Sequence, residues 1–366
     1  LLSDAIPGAS GVSIVFADHP TADTIEYCLE GNLTRQARIH TSWIKTENIR
    51  TYYTLEPSIG PEMLALHAKK QAQDMVGAIK AKGLLKEKVA YDALSPLLQE
   101  ALQKEGLKLV YAPEVMDEAR KLKTMDEVNC MRLGGVIADA GWGAMFQHLR
   151  PGMTERELGS KMSEAVFVKQ QAGHPIISLR SGPNTAPNWL SHSPSDRTIE
   201  AGDLLFCDMI DCGYSGYNSC YYRTWKCGTK PTQKEKDMYK QVYDWLYSAA
   251  EELKPGKTTA DAARKWPPAS TWGYKEEYEP WSNCLGHGQG LMTYELPRIN
   301  RFCSIDYPQV IEVGMVIALE TWTGEDGVGG VRLENMGVVT KNGWENIYQW
   351  PDEEITCPQH QLIFGY

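Results

Sequence analysis

Two segments of one pattern, Leu149-Arg-Pro-Gly-Met-Thr154 and Leu253-Lys-Pro-Gly-Lys-Thr258, constrain this chain more than any other feature. Leu253 lies 104 residues after Leu149. Each segment sits between two stretches of helical pattern. Thr124 with Glu127 and Thr154 with Glu157 have the spacing of capping boxes, in which hydroxyl and carboxylate satisfy each other's backbone donors. They predict helices from 124 to about 148 and from 155 to 170, with a strand over 175–180. Pro231–Leu253 predicts a third long helix, followed by further helical sequence after Thr258. A Pro-Gly pair alone marks only a turn. Matched helices on both sides make it an internal duplication of a helix–turn–helix–strand unit, whose copies bury their helices against a shared sheet. Two β-hairpins fit that sheet. One spans 203–228 and the other 315–340, each alternating strand-forming residues around a Gly-rich turn.

The first third differs. Short apolar runs at 11–17, 88–92 and 107–111 alternate with helical patterns at 60–82 and 94–105, the signature of a small α/β unit. The expected organisation is an N-terminal α/β domain over 1–120, whose abrupt start leaves room for earlier residues, and a larger domain over 121–366. With 366 residues, 42% of them hydrophobic and 23% charged, the chain can bury a sizeable core. The net charge of −10 argues against a general nucleic-acid binder. No apolar run is long enough for a membrane-spanning helix. Nine cysteines, an odd number with no C-x-x-C pair, point to reduced thiols and a cytoplasmic location rather than a disulfide framework. Leu1 to Ser10 lack the charged start of a signal peptide.

Several residues stand out chemically. His287 lies in Leu285-Gly-His-Gly-Gln-Gly-Leu291, where glycines allow close backbone approach and are expected to leave the imidazole accessible. Glu320 and Glu334 each end an apolar strand run, a costly place for a carboxylate without a partner. On adjacent strands they could hold a metal, share a proton or grip a cation, or pair with Arg332 as a structural ion pair. His192, after a polar turn-rich loop, has the reach of a general base near neutral pH. Arg223 reads as a clamp on a carboxylate. Eleven tryptophans, among them Trp189, Trp281 and Trp322, offer packing or an aromatic lining for a cationic ligand.

The motifs GDLLFCD…GYSGYNSCYYRTW, GHGQGL, IEVGMVIALE and VRLEN, in this order, resemble the pita-bread family of creatinase, aminopeptidase P, prolidase and methionine aminopeptidase. The resemblance covers about residues 115–355. It implies an α/β pita-bread fold, with duplicated helix–helix–strand halves around a curved, mostly antiparallel sheet, and a homodimer. Family peptidases hold two metals with two Asp, one His and two Glu. Carried over, the His falls on His287 and the Glu pair on Glu320 and Glu334. Counting back from Arg223 places the second Asp at Cys220 and the first at Met209, with Asp208 and Asp211 close by. A further family His falls on Tyr294.

That count implies an incomplete dinuclear centre. Segments such as SGPNTAPNW and GHGQGLMTYELPRI look like those of a dimethylsulfoniopropionate lyase of this fold, and His192 matches the catalytic His of creatinase. The expectation is therefore a non-peptidase enzyme cleaving a C–S or C–N bond of a small cationic or zwitterionic substrate. His192, Glu320, Glu334, Arg223 and Tyr294 would be catalytic, and Trp189, Trp281 and Trp322 would line the substrate. The cofactor would be none, or one divalent transition metal, zinc or iron, on Asp208, Cys220, His287, Glu320 and Glu334. The alternatives are an Xaa-Pro-type metallo-aminopeptidase or dipeptidase, and an inactive binding module.

Overall fold

Both Thr residues of the repeated Leu-x-Pro-Gly-x-Thr pattern are helix N-caps in the computed structural model. The structure describes residues 12–16, 18, 23–29, 34–35, 38–39, 43–170, 175–186, 193–280 and 285–358. The chain divides into two compact units, Leu1–Glu118 and Ala119–Tyr366, with the division inside a helix, Glu114–Lys121.

In the first unit, β1 (Val12–Ile14) pairs antiparallel with β2 (Ile25–Leu29), which pairs parallel with β3 (Ile49–Tyr52). Helix α1 (Pro61–Ala81) precedes β4 (Lys88–Tyr91), α2 (Pro96–Lys104) and β5 (Lys108–Tyr111), and β4 and β5 are parallel. The apolar positions of α1 (Ala72, Met75, Ile79) and α2 (Leu98, Leu102) meet Phe16, Ile25 and Tyr27 in one core. Helix α3 (Glu114–Lys121), which no motif marked in advance, follows.

The second unit shows the duplication. Helices α4 (Met125–His148) and α5 (Glu155–Phe167) lead to β6 (Ile176–Ser181), β7 (Leu204–Tyr214) and β8 (Tyr217–Lys226). Helices α6 (Gln233–Ala250) and α7 (Thr259–Ala263) lead to β9 (Gly286–Gln289), β10 (Thr293–Ile299), β11 (Val316–Glu325), β12 (Gly329–Thr340) and β13 (Gly343–Asn346). All four helices open on capping boxes, at Thr124/Glu127, Thr154/Glu157, Thr232/Glu235 and Thr258/Asp261. The two repeats coincide in detail. Gly152 and Gly256 both take left-handed φ, 90° and 88°, as a Pro-Gly turn requires. Ile199 N–H donates to the Met153 carbonyl, and Ile311 N–H to that of Lys257.

The strands form two sheets, β6-β7-β8 and β10-β9-β11-β12-β13, with antiparallel neighbours throughout. Period-two alternation sorts their side chains. The odd-numbered residues of β7 and β8, such as Leu205, Cys207, Met209, Tyr221 and Trp225, pack with α4 and α5. Ile317, Leu319, Leu333 and Val331 pack with α6 and α7. The even-numbered residues from 206 to 210, 220 to 224, 320 to 322 and 332 to 334 are left for the opposite face. Where β8 meets β12, the Thr224 hydroxyl donates to the Arg332 carbonyl and accepts from the Arg332 N–H, both at 2.8 Å. A side chain there replaces a rung of backbone ladder.

Candidate active site

The face turned away from the helices gathers five expected ligands. Asp208 comes from β7, Cys220 from β8, His287 from β9, Glu320 from β11 and Glu334 from β12. They form a chain of near neighbours. Cys220 Sγ lies 4.0 Å from Asp208 Oδ1 and 3.8 Å from Glu334 Oε2. His287 Nε2 lies 3.8 Å from Glu334 Oε1 and 3.9 Å from Glu320 Oε1. One ligand atom from each of Cys220, His287 and Glu334 falls within 4.8 Å of the others. All five residues are buried.

The register explains why Asp208 takes part. Residues Leu204 to Ile210 of β7 pair in step with Lys226 to Cys220 of β8. A bulge then places Asp211 outside the ladder, at φ 58°. Its side chain accepts from Thr293 Oγ1 at 2.7 Å, and Gln170 Nε2 donates to its carbonyl at 3.0 Å. Counting along the family motif therefore lands on Met209, which faces the helices, while Asp208, the residue named in the expected metal set, shares the inner face with Cys220.

His287 is also placed differently than its glycines implied. The imidazole is 1% exposed, on a short strand between β10 and β11. The glycines serve close approach of strands. A Cβ on Gly288 would stand 2.2 Å from the Leu296 carbonyl oxygen, and one on Gly286 would stand 2.7 Å from that of Ala318. Nδ1 lies 2.9 Å from the Gly288 carbonyl oxygen. A carbonyl only accepts, so Nδ1 carries a proton, and Nε2 is the ring nitrogen turned toward two carboxylates.

The electrostatics of the site are strongly perturbed. Burial lifts Asp208 well above the usual carboxylate range, and the Glu334 and Glu320 charges lift it further, against Arg332. Burial pushes Glu334 up to about 8, opposed by the Cys220 hydrogen bond and the Arg223 charge. Burial, Glu334 and Asp208 raise the Cys220 thiol. Burial holds His287 below its ordinary value, against the pull of Glu320. Arg332, at 1% exposure and 4.4 Å above the Phe206 ring, is the guanidinium of this face, and burial lowers it to about 9. Among the described residues, Glu334 Oε1 receives no hydrogen bond. An imidazole nitrogen facing carboxylates, a buried carboxylate oxygen without a described donor and a thiol among acids all fit a divalent cation.

The other expected residues have different places. Arg223 is not at the reacting face, which corrects its expected catalytic role. Its Nε donates to the Pro351 carbonyl, Nη1 to those of Tyr222 and Glu334, and Nη2 to Asn335 Oδ1 and the Trp350 carbonyl. With all its donors committed, it fixes main chain and grips no carboxylate. Tyr294, half exposed at φ 69°, stands edge-on to His287 with ring centres 4.6 Å apart. Trp322, two residues beyond Glu320 on β11, stacks on Trp272 at 4.8 Å. His192, Trp189 and Trp281 lie outside the described residues.

Sequence reasoning overlooked Tyr222 and Arg298. Tyr222 donates to Glu320 Oε2 at 3.3 Å. Alternation along β8 from Cys220 would have put it on the same face. The guanidinium of Arg298 lies 4.5 Å over the Tyr294 ring, close enough to His287 to lower its basicity.

A buried His, Cys and carboxylate cluster on the inner face of a duplicated, curved antiparallel sheet backed by paired helices is a pita-bread architecture with a candidate metal centre. The model described as metallopeptidase family M24 matches residues 129–341, and the chain belongs to that family. It is 32% identical over 293 residues to a protein named Xaa-Pro dipeptidase from Pyrococcus horikoshii, covering 78% of this chain and 75% of that one. The solved Xaa-Pro dipeptidase from Bacillus anthracis superposes with a TM-score of 0.73 at 23% identity, over 96% of this chain and 90% of that one. The prolidase from Pyrococcus furiosus gives 0.72 at 24% identity, over 96% and 93%. At those identities the structures show the shared fold.

These relatives correct the expected chemistry. They carry peptidase names, so the lyase-like and creatinase-like readings, and the non-peptidase cleavage of a C–S or C–N bond with them, are overturned. Among the described residues no helix is long and apolar enough to cross a membrane.

Proposed function

We propose that this chain is a metal-dependent peptidase of the Xaa-Pro type, acting on dipeptides or on the N-termini of short peptides. The observation that carries the reading is the buried set Asp208, Cys220, His287, Glu320 and Glu334, in a member of the metallopeptidase family whose relative is named an Xaa-Pro dipeptidase.

A divalent metal held by these residues would supply Lewis-acid polarisation of the scissile carbonyl and lower the pKa of a water. The protein's own contribution is arrangement. The Gly288 carbonyl fixes the His287 tautomer, and Tyr222 orients the Glu320 carboxylate. Glu320 and Glu334, once ionised by a bound cation, are the carboxylates able to hold or pass a proton at the reacting face. Arg298 and Tyr294 stand on the exposed side of His287, where a cation suits the carboxylate end of a dipeptide. The stacked Trp322 and Trp272 form an apolar wall beside Glu320, suited to a proline ring.

The test is hydrolysis of Xaa-Pro dipeptides by the purified chain, with and without chelator. Turnover that chelator abolishes and added divalent metal restores is expected. A metal-loaded protein that leaves every Xaa-Pro dipeptide and Xaa-Pro-initiated peptide intact would overturn the proposal.

A further inference from the structure

We infer that Cys220 ligates the metal through its sulfur, and that this thiolate makes the centre more selective for zinc-class cations than an all-oxygen and nitrogen set would be. The inference rests on the metal-centre reading above and concerns which ion it holds. Three features carry it.

The first is position. Cys220 occupies an even-numbered place on β8, between Asp208 on β7 and Glu334 on β12, at the middle of the cluster. Its backbone is held there, because its N–H donates to the Tyr348 hydroxyl at 3.2 Å. The second is spacing. Zinc bonds of about 2.3 Å to sulfur and about 2.1 Å to oxygen, opened to a tetrahedral angle, put ligand atoms roughly 3.6 Å apart. Cys220 Sγ to Glu334 Oε2 is 3.8 Å, and one ligand atom from each of Cys220, His287 and Glu334 lies within 4.8 Å of the others. The third is an unmet demand in the same cluster: the other oxygen of the buried Glu334, Oε1, which faces His287, has no hydrogen-bond donor among the described residues.

A thiolate differs from a carboxylate in kind. It is soft and ranks zinc far above manganese or magnesium. The chain would thereby trade tolerance of hard cations for tight retention of one thiophilic ion.

X-ray absorption of the zinc-loaded, unmodified chain tests the ligand directly. A sulfur shell at about 2.3 Å is expected. A shell of nitrogen and oxygen alone, or failure to take up zinc, overturns the inference. Cobalt(II) loading gives a second reading, since only a thiolate adds a sulfur-to-metal charge-transfer band in the near ultraviolet. Cys220→Asp should lose both signatures and narrow the preference for zinc over manganese by about tenfold or more. An unchanged preference in that variant overturns the selectivity. The outcomes separate from those of the peptidase reading. A sulfur shell without dipeptide hydrolysis removes only the proposed activity, and hydrolysis without a sulfur shell removes only this inference.

Discussion

Glu320 and Glu334 are direct partners in the β11–β12 ladder, two carboxylates opposite one another on adjacent strands. Like charges at paired positions oppose sheet formation. Here both are buried, and Asp208 stands close by. The fold therefore accepts a local conflict that a bound cation would relieve.

Burial of these carboxyl groups makes metal-free stability depend on pH in a definite direction. Glu334 is raised to about 8 in the folded chain, against an ordinary value near 4.3 when unfolded. The folded state thus binds the proton more tightly. Its contribution is complete below the unfolded value and is lost as pH rises through about 8. Asp208 is shifted in the same direction. Thermal unfolding in chelator should show Tm falling between pH 5.5 and 8.5, more steeply than in Glu334→Gln. A Tm that rises or stays level while Glu334→Gln behaves identically would refute the assignment.

Metal loading should reverse that slope and release protons. Asp208, Glu334 and Cys220 are all displaced toward their protonated forms, whereas metal ligands bind deprotonated. Zinc titrations in buffers of different ionisation enthalpy should reveal net proton release at pH 7, and affinity should climb with pH. Heats independent of buffer would contradict this.

Arg223 should behave as a stability residue. Replacing it with Lys keeps the charge but cannot reproduce a fork that holds Pro351, Tyr222, Glu334, Asn335 and Trp350 together. Arg223→Lys should cost about 3 kcal/mol in denaturant unfolding, since several buried acceptors lose their donor at once. A loss below about 0.5 kcal/mol, within the range of a surface change, would show that those bonds do not hold the main chain.

Arg298 should matter to binding more than to turnover. Arg298→Ala should raise KM for Xaa-Pro dipeptides by about tenfold or more while changing kcat little, as expected for a lost charge-assisted contact. Dipeptide amides, which lack the carboxylate, should be nearly indifferent. Equal losses on both substrates would remove the assigned role.

Much of this architecture was legible in the chain. The repeated Leu-x-Pro-Gly-x-Thr segments and the Thr-x-x-Glu boxes located the long helices of the second unit, because capping is local chemistry. Glu320 and Glu334 betrayed themselves by interrupting apolar strands. Other features were hidden because they are tertiary. Nothing local marks Asp211 as a bulge, since its left-handed backbone is held by Thr293 and Gln170, far away in sequence. Counting along the family motif consequently landed one residue away, on Met209, although Asp208 was named among the candidate ligands. The strand carrying His287 is equally quiet. Its glycines are poor strand formers, needed because neighbouring backbones leave no room for a Cβ. Arg223 looked like a catalytic cation because a guanidinium's partners cannot be read from sequence.

The hydroxyl of Thr224 has a consequence for how the centre can fail. It stitches β8 to β12, and that join divides the ligands by parentage: Asp208 and Cys220 belong to the earlier repeat, and His287, Glu320 and Glu334 to the later one. The apolar interior is not divided the same way, because Val316, Ala318, Met336 and Val338 of the later repeat pack into the core of the earlier one. Loosening the join would open that shared core and split the ligand set at once, so a bound ion and the pairing of the repeats would stand or fall together.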